Sequence, residues 1–171
     1  MFHKNIKLIL AGLISAWAVY QFSQGNIMNG ISVLLLAGLF VLFYFKNEFI
    51  LLAFLQLRKQ NFPGTKKWLD YIKNPEAALT TNQQGYYNYL HGIILSQTNM
   101  TQAEKYLRKA VKLGLAMDHD LAMAKLQLAG ISMTKRRKRE ATILMAEAKK
   151  LDKHGMLKEQ MQMMKQQMKK I

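Results

Sequence analysis

The chain has no cysteine. That excludes disulfides, thiol nucleophiles and thiolate-ligated zinc or iron–sulfur centres, and it fits a reducing compartment. Proline is nearly missing too. Pro63 and Pro75 are the two in the chain, so nothing obstructs long helices from residue 76 to residue 171. Acidic residues are scarce, 10 against 25 Lys and Arg, which leaves a net charge of +15. The sequence also lacks an HExxH pair, a Gly-rich phosphate loop and a GxSxG elbow. Its four histidines, His3, His91, His119 and His154, are scattered. Asp118, His119 and Asp120 read as a helix start, because consecutive residues of a first turn do not converge on one cavity. Nothing here points to catalysis: no enzyme, no cofactor, no metal and no small-molecule substrate is expected.

Charge is also distributed unevenly. The first 60 residues carry six charges, Lys4, Lys7, Lys46, Glu48, Arg58 and Lys59. Two apolar runs, 6–22 and 27–45, flank a short uncharged link of Ser23, Gln24, Gly25 and Asn26. A helix rises about 1.5 Å per residue and needs roughly 20 apolar residues to cross a bilayer. Residues 1–47 therefore read as a two-helix transmembrane hairpin, with Gly12 and Ala16 set to approach Ala37 and Gly38 closely. Lys4 and Lys7 precede the first run, and Lys46, Arg58, Lys59, Lys66 and Lys67 follow the second. The positive-inside rule then predicts an integral protein of a bacterial cytoplasmic (inner) membrane, with two spans and both termini cytoplasmic. The competing reading of the first run is a cleaved signal peptide ending near Ala16, Trp17 and Ala18, but a second apolar run follows almost at once.

The remainder of the chain repeats itself. Ala103 and Ala110 lie seven apart, Ala141 and Ala148 lie seven apart, and the two pairs are separated by 38 residues. Gly92 and Gly130 precede them at the same separation, and Asn61 and Asn99 mark like turns. Self-similarity at a fixed period of this size predicts stacked helix pairs. Small side chains two turns apart on one face let a neighbouring helix close in. Tyr106 and Leu107 lie in sequence between the first pair, and Leu144 and Met145 between the second.

This pattern resembles the tetratricopeptide family, on Leu90, Gly92, Ala103, Tyr106 and Ala110 in one copy and Gly130, Ala141 and Ala148 in the next. The resemblance implies an all-α fold with a repeat domain over 48–153, in copies at about 48–76, 85–115 and 120–153. It also implies a concave groove that holds a protein partner. The chain departs from the family in its longer period, its missing terminal prolines and the Thr65 and Ile72 that replace small residues in the first copy.

Two further features carry function. Lys135, Arg136, Arg137, Lys138 and Arg139 form a run of five cations at the turn of the third copy, a candidate site for phosphates of anionic lipid or ribosomal RNA. Residues 154–171 form a Met- and Lys-rich helix. There Leu157, Met161, Met164, Met168 and Ile171 recur at alternating steps of four and three. That stripe serves either to cap the repeat stack or as an adaptable face for a partner helix. The expected function is a membrane-anchored scaffold or adaptor for protein–protein interaction on the cytoplasmic face. The alternatives are a basic membrane-surface or ribosome factor and a small accessory subunit of a larger membrane complex.

Overall fold

The computed structural model describes residues 4–45 and 47–169. His3, Lys46, Lys170 and Ile171 lie outside the described residues. Ten helices and no strand occur among the described residues, so the all-α expectation holds. They are α1 Lys4–Ser23, α2 Ile27–Phe45, α3 Glu48–Arg58, α4 Phe62–Asp70, α5 Pro75–Ala78, α6 Thr81–Ser96, α7 Met100–Leu113, α8 Asp118–Thr134, α9 Lys138–Leu151 and α10 Lys158–Met168.

Asparagine sets the helix starts. Asn47 accepts from the Phe49 and Ile50 N–H groups at 3.1 and 3.3 Å, Asn61 from Gly64 at 3.0 Å and Asn99 from Gln102 at 3.0 Å. Each bond satisfies an N–H that has no partner inside its helix. The turns α3–α4 and α8–α9 share one closure. Gln60 and Arg136 take left-handed φ values of 57° and 56°, and the N–H groups of Asn61 and Arg137 reach back to the Gln56 and Ser132 carbonyls. This Schellman geometry reverses the chain within a few residues.

The reversals pair α3 with α4, α6 with α7 and α8 with α9, and the second hairpin packs on both of its neighbours. Positions 38 residues apart take like places. Thr65, Ala103 and Ala141 are fully buried, and so are Leu69 and Leu107, with Met145 nearly so. Ile72, Ala110 and Ala148 follow the same pattern. Within the second and third hairpins the buried member of each sequence pair is Leu107 rather than Tyr106, and Met145 rather than Leu144. The core runs through the stack as three linked clusters. Phe54 and Tyr86 contribute to the first and second, and Met123 and Leu144 to the second and third. Each fully buried leucine contributes about 1.5–3 kcal/mol relative to an exposed one.

Close approach is tightest between α6 and α7. A Cβ at Gly92 would lie 2.6 Å from Leu107 Cγ, and one at Gly85 would lie 2.1 Å from the Gly114 carbonyl oxygen. Gly130, the counterpart of Gly92, is different. A Cβ there would meet only Met164 Cε, at 3.9 Å, so the third hairpin does not repeat this contact.

The expected membrane hairpin is corrected. Among the described residues, no helix is long and apolar enough to cross a membrane. The helix ends show why. Helix α1 opens on Lys4, Asn5 and Lys7 and closes on Gln21 and Ser23, and Asn29, Gly30 and Ser32 interrupt the start of α2. The apolar stretches between these polar positions fall short of the roughly 20 residues a crossing needs. The predicted placement in an inner membrane, with two spans and both termini cytoplasmic, is overturned by the same finding. Helices α1 and α2 do pack on each other, with Ala11, Ala18 and Ala37 buried, whereas Gly12 and Gly38 face open space.

Gly85→Ala should cost roughly 2–3 kcal/mol of unfolding free energy, because a backbone carbonyl cannot swing aside as a side chain can. Gly12→Ala, which meets open space in a helix, should be neutral or slightly stabilising. Urea denaturation followed by circular dichroism separates the two.

Candidate functional site

The five cations at the α8–α9 turn do not act as one surface. Glu104, near the start of α7, is buried, and it draws two of them inward. Arg137 grips it with both terminal nitrogens, Nη1 to Oε1 at 2.9 Å and Nη2 to Oε2 at 2.7 Å. Lys135 Nζ donates to Oε2 at 2.7 Å, and Arg108 donates to Oε1 through Nε and Nη2 at 3.0 and 2.7 Å. Glu140 completes the network, accepting from Arg137 Nη1 at 3.0 Å and from Arg108 Nη2. Hydrogen bonds from Arg137, then Lys135 and Arg108, hold the Glu104 carboxyl far below the usual carboxylate range, against the opposing effect of burial. Arg108 does the same for Glu140, less strongly.

The remaining cations of the run, Arg136, Lys138 and Arg139, are exposed. A single five-cation phosphate site is therefore corrected to three outward charges and two structural ones. Five adjacent like charges repel one another and by themselves add little to folding. Glu104, 31 and 33 residues away from Lys135 and Arg137, reverses that balance.

The opposite end of the same interface is tied by Tyr86, whose hydroxyl donates to Asp120 Oδ2 at 2.7 Å. Burial, and then this bond, push the Tyr86 phenol well above its ordinary value. Neither Asp118 nor Asp120 caps α8 by a side-chain hydrogen bond, as the sequence suggested. Asp118 instead accepts from Lys153 at 2.6 Å.

The methionine stripe is turned inward. Leu157, Met161 and Met168 are buried against Ala122, Leu126, Ala129 and Met133 of α8 and Met145 of α9, with Met164 packed beside them. These four side chains cover the last hairpin and are not presented to a partner helix. Met163 is the methionine of α10 that lies largely exposed.

Sequence reasoning passed over two aromatic groups. Phe49, Trp68 and Tyr71 stack with ring centres 5.7–6.2 Å apart. His91 lies between Tyr87 and Tyr106, at 4.5 and 5.2 Å, and burial depresses its pKa. The Nε2 atom of His91 is buried without a hydrogen-bond partner. The signal for both groups was the density of aromatic residues at 68–71 and 86–89. Among the described residues, no group of three or more His, Asp or Glu gathers in a way that would hold a metal.

Glu104→Gln should lower stability at pH 7 by about 1–2 kcal/mol, a value discounted because both arginines are substantially exposed. The folded-state pKa of Glu104 is depressed, so its contribution is present above the unfolded carboxylate pKa. It is lost as pH falls below about 5. The wild-type urea midpoint should therefore drop as pH falls from about 5 to about 3, and the variant should lose part of that drop.

No protein-family model matches the chain, and neither a curated protein nor a solved structure matches it, so the geometry of the chain itself carries the functional reading.

Proposed function

We propose that the chain is a tetratricopeptide-like adaptor, a stack of helical hairpins whose surface binds a protein partner and which carries out no catalysis itself. The observation behind this reading is the like burial of Thr65, Ala103 and Ala141 at 38-residue steps on α4, α7 and α9. A solenoid built this way offers extended surface rather than an enclosed site. The hollows on it are open and shallow, from about 260 to about 550 Å³. The charge balance of the chain favours an acidic partner face.

A second reading rests on the N-terminal hairpin, which leaves Ile9, Leu13, Trp17, Val19, Ile27, Met28 and Leu35 largely exposed. Apolar surface on that scale marks a contact with something else. This favours an accessory subunit seated in a larger assembly through α1 and α2. The reading as a basic lipid or RNA factor loses ground, because Lys135 and Arg137 are spent on Glu104.

The deciding experiment is cross-linking of the full-length chain in its own cells, followed by purification at low and high salt. An adaptor retains a protein partner at high salt. Retention should also survive a variant in which the order of apolar residues in α1 and α2 is scrambled at constant composition. Loss of the partner on scrambling identifies the accessory subunit. Recovery of only lipid or RNA, released as salt rises, overturns both.

A further inference from the structure

Helix α4 carries a hollow of about 550 Å³ lined by Pro63, Lys66, Lys67, Asp70, Tyr71 and Lys73. Helical spacing explains its layout. Within α4, Lys66 and Asp70 are one pair four residues apart and Pro63 and Lys67 another, while Tyr71 at the C-cap and Lys73 in the bend after it complete the lining. All six residues are exposed. Tyr71 is 50% exposed yet held in place, with its ring stacked on Phe49 at 5.7 Å and 24° and set against Trp68 at 5.7 Å. A solvent-facing aromatic ring that is already immobilised loses little entropy on binding. Such rings serve as anchors at protein interfaces.

The charges around this ring are unspent. The ion pairs of Glu76, Glu104, Asp118, Glu140 and Glu147 take up other cations, and none of them takes up Lys66, Lys67 or Lys73. Three free ammonium groups therefore flank a fixed aromatic face, in contrast to the cations that Glu104 has gathered.

The occupant can be narrowed by the same chemistry. Three lysine ammonium groups on one hollow complement a segment of negative charge. Asp70 lines the same hollow and can accept from the peptide N–H groups of a bound segment. One propped ring beside scattered lysines suits one aromatic side chain flanked by carboxylates.

Resting on the adaptor reading above, we propose that the α4 hollow docks an acidic segment of a partner protein, with its carboxylates on Lys66, Lys67 and Lys73 and an aromatic side chain on Tyr71. The test uses the full-length chain carrying Trp17→Phe, in mild detergent, and a fluorescein-labelled decapeptide of Asp and Glu with one central Phe, read by anisotropy and by Trp68 emission. The controls are the same peptide with Ala for Phe, vesicles containing phosphatidylglycerol and a uridine decamer. The Phe peptide should bind more tightly than the Ala peptide. The triple variant Lys66→Gln, Lys67→Gln, Lys73→Gln should weaken it about tenfold. The matched triple Arg136→Gln, Lys138→Gln, Arg139→Gln should change it less than about twofold.

Tyr71→Ala should erase the preference for Phe, and Tyr71→Phe should keep it. If Tyr71→Ala unfolds the chain, the lysine triple and the Trp68 emission still decide. Equal weakening by both triples, indifference to the Phe, or tighter binding of vesicles or RNA through the same lysines overturns the proposal. A cross-linked partner that stays bound to the lysine triple overturns this site and leaves the adaptor reading standing. No protein partner at all removes both.

Discussion

The carboxylate of Glu104 is the fixed point between the second and third hairpins. In a chain this rich in Lys and Arg, the turn after α8 concentrates like charge where two hairpins must meet. One buried acid at the start of α7 turns that liability into an attachment, because its two oxygens accept from Arg108, Lys135 and Arg137 together. An isolated ion pair at a surface contributes little. A carboxylate with several geometrically fitted donors behaves differently, since each added donor also satisfies a lone pair that burial would otherwise leave bare. With Tyr86 and Asp120 tied at the other end, the hairpins are held at both ends, and the apolar contacts between them set the spacing.

Much of this was legible in the sequence, and the rest was hidden for identifiable reasons. Asn61 and Asn99 could be read as turn markers because capping is a local act, settled within three residues. Ala103, Ala110, Ala141 and Ala148 could be read as contact points because a small side chain at repeated spacing has few other uses. Glu104 could not, since an acid four residues before Arg108 looks like an ordinary helical pair, and its other donors lie more than 30 residues away. Gly130 copied the position of Gly92 without its packing, because α10 and not α9 lies over it. The methionine stripe showed its periodicity but not its direction.

The N-terminal hairpin illustrates a different limit. The lengths of the runs 6–22 and 27–45 suggested two spans, but no described helix is long and apolar enough to cross, and polar residues at the ends of α1 and the start of α2 shorten the uninterrupted apolar stretch. What remains is a hairpin with three alanines turned inward and many of its large apolar side chains turned out. Ala11, Ala18 and Ala37 sit between the helices while Leu13, Trp17 and Leu35 point away. That is the reverse of a soluble helical pair, where bulk is kept for the interior.

A stack of like hairpins has no inherent length, since each unit exposes the face onto which another could fold. Helix α10 ends that progression with Leu157, Met161, Met164 and Met168 pressed onto α8 and α9. Unbranched thioether side chains suit the task, because they settle onto a surface shaped to receive a different helix. The lid thus fixes where growth must occur. An added hairpin would have to enter upstream of α10, because Leu157, Met161 and Met168 already cover the face that α8 and α9 would offer it.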